Sequence, residues 1–164
     1  MTINANAMLH EQTKKVYGLG PQVPSTSTSD FVSLKNYERA QVTIIVLNTT
    51  TVTGSAITLN QATDVANTSG KALAFSTVYA NTDCAATDTL VETAVTSNTF
   101  TTSTTNSKQL MYVIDIKPTD LDVAGGFDCF SVKAATAVNA TVSIEIVLYP
   151  ARYAKANPAS AIID

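Results

Sequence analysis

Residues 141–149, TVSIEIVLY, decide the fold: Val142, Ile144, Ile146 and Leu148 fall on one side of an extended chain, Thr141, Ser143 and Glu145 on the other. A period of two is the mark of a strand with one buried face. The same period returns in residues 109–116 (QLMYVIDI), where Leu110, Tyr112, Ile114 and Ile116 share a side. Residues 39–47 (RAQVTIIVL) are nearly continuous in apolar side chains and predict a central strand buried on both faces.

Working outward, weaker strands are expected at 31–34, 56–61, 72–80, 89–95 and 98–102, where Thr and Val favour the pleated conformation. Gly54-Ser55, Ser69-Gly70 and Gly125-Gly126 supply turns, and PTDL (118–121) suggests a single helical turn capped by Thr119 or Asp120. Residues 127–135 and 141–149 read as a hairpin turning at Val138-Asn139. Eight or nine short strands without a long helix indicate an all-β fold, an antiparallel β-sandwich of jelly-roll-like kind. The expected organisation is an extended N-terminal arm (1–30), a sandwich domain (31–150) and a C-terminal tail (151–164). The arm is expected to be held by a neighbouring subunit.

Charge is scarce. Between Ala40 and Ser107 only Asp64, Lys71, Asp83, Asp88 and Glu92 are charged, and charged residues make up 14% of the 164-residue chain, against about a quarter in ordinary domains. The net charge of −3, with scattered basic residues, argues against a nucleic-acid partner. No apolar run spans a bilayer, so no membrane partner is expected. The start, MTINANAMLHEQTKK, lacks a basic segment followed by an apolar one, which predicts a protein made in the cytoplasm.

Catalytic and metal templates fail on inventory. The one histidine, His10, lies in the arm, and no Gly-rich phosphate loop is present. Cys84 and Cys129 are expected as free thiols in a reducing compartment. Asp115, Asp120, Asp122 and Asp128 lack the spacing of a calcium loop; Asp120 is expected to cap its turn and the others to be solvated. No catalytic residue, metal or cofactor is therefore assigned. The aromatics (Tyr37, Phe75, Tyr79, Phe100, Tyr112, Phe127, Phe130, Tyr149, Tyr153) sit mostly at alternating strand positions, where core packing is the default over a sugar-stacking platform. Apolar residues in the terminal segments, Met8, Leu9, Val16, Tyr17, Tyr153, Ile162 and Ile163, are the candidate subunit contacts.

The arm and the stretches DFVSLKNYERAQVTIIV, MYVIDIKPTDLDVAGGFDCFSVKA and VSIEIVLYPARYAKANPASAIID together resemble small virion proteins of tailed bacteriophages, including capsid decoration (cement) proteins. The resemblance implies a non-enzymatic β-rich subunit on the capsid exterior, bound to the major capsid protein and to copies of itself, with a trimer as the expected count. Two other classes remain open: a carbohydrate- or receptor-binding module of a tail or fibre, and a subunit that builds the shell or tube itself.

Overall fold

The computed structural model describes residues 8–151 and 158–163. A short helix α1 (Leu9–Gln12) leads into β1 (Lys14–Gln22), β2 (Ser27–Thr28), β3 (Val32–Ser33), β4 (Tyr37–Asn48), β5 (Ala56–Ala62) and β6 (Lys71–Ala72). Then follow β7 (Thr77–Asn81), β8 (Val91–Ala94), β9 (Thr99–Thr101), β10 (Gln109–Ile116), β11 (Cys129–Ala134) and β12 (Ala140–Ala151). They form two antiparallel sheets, in the orders β1-β12-β4-β10-β7-β8 and β2-β11-β5-β6, with β3 also on β11 and β9 also on β5. The chain is the all-β sandwich that its period-two segments predict.

The core is the sum of the inward faces. Val42, Ile44 and Val46 of β4, Leu110 and Ile114 of β10, and Val142, Ile144, Ile146 and Leu148 of β12 meet Ile57 and Leu59 of β5 and Phe130 and Val132 of β11. β4 departs from the expectation of burial on both faces. Ile45 and Leu47 are 48% and 46% exposed, because the second sheet covers only one side of the first.

Within the expected arm, the described strands also differ from expectation. β1 is extended, but it pairs antiparallel with β12 of its own chain, from Lys14↔Leu148 to Gln22↔Val142, so no neighbouring subunit is needed to hold it. Gly18 permits the approach: a Cβ there would lie 2.9 Å from the Ile144 carbonyl oxygen. β2 joins β11 in the other sheet.

Residues 127–149 are not a hairpin. β11 pairs with β5 and β12 with β4, so the connection at 135–139 crosses from one sheet to the other. Asn139 makes the crossing with a left-handed backbone (φ 57°), while its side-chain amide donates to the carbonyls of Thr50 and Thr51. The stretch 72–80 splits likewise. β6 stays with β5, β7 joins β10, and buried Leu73 lies between them.

Candidate functional site

Two opposite ends of the sandwich differ in chemistry. At one, the loops 49–55, 103–107 and 135–139 are built from Thr, Ser and Asn and hydrogen-bond to one another. Asn48, 1% exposed, donates its amide to the carbonyls of Ser103 (2.8 Å) and Thr105 (2.9 Å). Val138 N donates to Thr53 Oγ1 (2.7 Å), Ser55 Oγ to the Ala135 carbonyl (2.7 Å), and Ser103 N to Tyr112 Oη (2.7 Å). The hydroxyls of Thr49, Thr53, Ser55 and Ser103 are thus given to loop carbonyls and amides, while Thr50, Thr51 and Thr104 stand exposed.

At the other end lie both described terminal segments. α1 packs on β1 and β12, next to the point where Ala151 of β12 opposes Tyr37 of β4. The returning segment 158–163 is pinned there by two bonds: the Tyr37 hydroxyl donates to the Ala159 carbonyl, and Ser33 N to the Ala161 carbonyl (2.7 Å). Ala161 enters the core, whereas Ile162 and Ile163 remain 42% and 72% exposed. Met8 and Leu9, 68% and 61% exposed, project from the same end.

The candidate contact residues therefore separate. Met8, Leu9, Ile162 and Ile163 are available at one end. Tyr17 is 75% exposed, but on the open face of the larger sheet beside Glu145. Val16 is a correction: it is 7% exposed and part of the core, because β1 alternates and Lys15 and Tyr17 take the outward positions. Tyr153 lies outside the described residues.

The four aspartates do not all converge. Asp120 Oδ2 accepts from Lys117 N (2.7 Å), capping the turn Pro118–Asp120. Asp122 pairs with Lys71 and caps Gly125 N (3.0 Å), and the Lys71 bond holds its carboxyl below the usual carboxylate range. Asp128 accepts from Cys129 Sγ (3.0 Å), and Asp115 faces Gln41 across the open sheet face. Among the described residues no group of three or more such side chains is placed to hold a metal ion. Cys84 and Cys129 are not joined by a disulfide, and burial, with the charge of Asp83, pushes the Cys84 thiol up.

A cavity of about 680 Å³ opens where β4, β10 and β7 end, lined by Arg39, Phe75, Tyr79, Asp115, Lys117 and Asp120 among others. Sequence reasoning missed it. Arg39 and Lys117 are far apart in the chain and become neighbours only because β4 and β10 pair up to Ala40↔Ile116. Two cations and two carboxylates balance there, beside a Tyr79 ring that is 37% exposed. Tyr149 stands next to Asp115 and Arg39, its hydroxyl pushed up by burial first and by Asp115 second. The remaining aromatics mostly pack inward. Phe75, Phe100 and Tyr112 form a run with centroids 6.3 and 5.2 Å apart.

No family model matches this chain, and no curated protein matches it in sequence. Among solved structures it is similar to the SPBc2 prophage-derived protein YomS, 12% identical, over 83% of this chain and 91% of that one, with a TM-score of 0.46.

Proposed function

We propose that this chain is a non-enzymatic structural subunit of a bacteriophage virion, of the capsid decoration type, that binds the major capsid protein and copies of itself on the capsid exterior. The observation that supports this is the placement of Met8, Leu9, Ile162 and Ile163 on one end of the sandwich, exposed and next to segments anchored by Tyr37 and Ser33. Burying an aliphatic side chain of this size contributes about 1.5–3 kcal/mol. Many copies on one particle multiply weak contacts of that kind through avidity. The bonds on the Ala159 and Ala161 carbonyls, just before the isoleucine pair, lower the ordering cost of using it.

Mass spectrometry of purified virions tests the reading, and absence of the chain from the particles overturns it. A narrower test uses Ile162→Ser/Ile163→Ser and, separately, removal of residues 1–13, which spares β1. Retained folding with lost capsid binding supports the role of this end; unchanged binding removes it.

A second reading, glycan or receptor binding, is favoured by the cavity. An exposed Tyr ring beside balanced Arg, Lys and Asp side chains suits a polyhydroxylated ligand of no net charge. Hits on a glycan array that vanish with Tyr79→Ala support it, and an array without hits counts against it.

A further inference from the structure

Every sheet has edges whose unpaired N–H and C=O groups can template another strand, and natural sandwiches protect them. The larger sheet guards one edge thoroughly. β1 carries Lys14, Lys15 and Pro21, contains Gly18 and Gly20, and shifts register twice along β12. In the smaller sheet the outer strands β2, β3, β6 and β9 are two or three residues long, too short to recruit a partner.

β8 is different. All four of its residues are exposed, Val91 by 62%, and Leu90 just before it by 39%. It pairs with β7 on one side only, from Thr77↔Ala94 to Ala80↔Val91, without a register shift. Val95 N donates to the Ser76 carbonyl (2.8 Å). Backbone groups point to alternate sides along an antiparallel strand, so Val91 and Thr93 also face β7. Glu92 and Ala94 turn their N–H and C=O groups outward.

We infer that β8 is a pairing edge for a second copy of this chain, joined antiparallel about a two-fold axis. Among the two-fold registers that the outward groups allow, one puts both outward residues of each copy into hydrogen-bonded pairs within β8. Glu92 pairs with Ala94 of the second copy, Ala94 with its Glu92, and Thr93 meets Thr93 on the axis. This register is self-complementary, as a two-fold interface requires. No like charges stand directly opposite, and Thr–Thr is a favourable cross-strand pair. Val91 then lies opposite Val95 of the second copy, on the core side of the sheet where Val78 and Val95 already pack. The exposed valine gains an apolar neighbour, and two six-stranded sheets become one continuous sheet.

The inference deepens the assembly reading and names one of its surfaces, but it is tested apart from it. Light scattering on the purified full chain, 17.3 kDa per copy, is expected to give twice the monomer mass at high micromolar concentration. Ala94→Pro removes an outward N–H that the fold does not use and is expected to give a folded monomer, with an unchanged circular dichroism spectrum. If that variant fails to fold, Val91→Lys decides, since it leaves the backbone intact and sets a charge against the second copy's valine. A wild-type monomer, or a folded Val91→Lys or Ala94→Pro variant that stays dimeric, overturns the pairing. A monomer that still occurs in virions refutes the edge alone. A dimer missing from virions refutes the virion role alone.

Discussion

The two ends of this sandwich spend polar chemistry in opposite ways. At the hydroxyl-rich end, Thr, Ser and Asn side chains of three loops close on each other, and residues 48–55, 103–107 and 135–139 hold no titratable group. At the opposite end, hydrogen bonds and the Lys71–Asp122 ion pair pin chain segments in place while leaving aliphatic residues in water. The difference separates an end whose loops close on one another from an end where Met8, Leu9, Ile162 and Ile163 stay in water. It also gives part of the Thr-rich composition a second role, since several of these hydroxyls satisfy loop backbone while others face water.

If that contrast holds, substitutions at the hydroxyl-rich end cost the most stability. The largest effect is expected for Gly54→Ala, because a Cβ there runs into the Thr102 carbonyl oxygen and the Thr101 side chain. Overpacking against backbone is expected to cost about 3 kcal/mol, read as a shift in urea midpoint with an unchanged slope. Next comes Asn48→Ala, which orphans the carbonyls of Ser103 and Thr105 and is expected to cost about 2 kcal/mol. The loss is limited because Asn48 Oδ1 is itself buried without a partner. A loss above that of Gly54→Ala would reverse the order.

Effects at the other end should be smaller and local. Tyr37→Phe removes the hydroxyl that holds the Ala159 carbonyl, a change of about 1 kcal/mol. Its signature is faster hydrogen exchange at Ser33 N–H, whose acceptor is the Ala161 carbonyl, with no change at Thr49 or Thr53. Unaltered exchange at Ser33 would show that the segment is held by other means. The smallest effect is on acidification. The Asp122 carboxyl is held below its ordinary value, first by its bond from Lys71. Its contribution is therefore present above the ordinary carboxylate range and is lost as pH falls through the depressed value, below about pH 4. NMR titration should show the Gly125 amide moving in that window and the Asn139 side-chain amide staying still.

Legibility differed by element. β10 and β12 stand in the sequence almost residue for residue, since a buried face imposes its period on any strand that carries it. The turn at Pro118 and its Asp120 cap were equally plain. β4 was over-read, because Ile45 and Leu47 interrupt a pattern that otherwise alternates. The candidate contacts were legible only in part. Composition marked Ile162 and Ile163, but Val16 could be told from Tyr17 only once β1 had a partner. The cavity left no local signal, since its Arg39 and Lys117 meet through strand pairing.

By itself, then, the sequence determined the period-two strands, their inward faces, the all-β class and the scarcity of charge. Those follow from side-chain alternation and composition, which are local properties. The tertiary structure decided which strand lies in which sheet. It sent β11 and β12 apart instead of folding them into a hairpin, and laid β1 on its own chain's edge. It committed the Thr-rich loops to one another and left the outer side of β8 without a partner strand among the described residues. Strand pairing is made by backbone groups that are nearly alike at every residue, so partners are chosen by the packing of the whole chain.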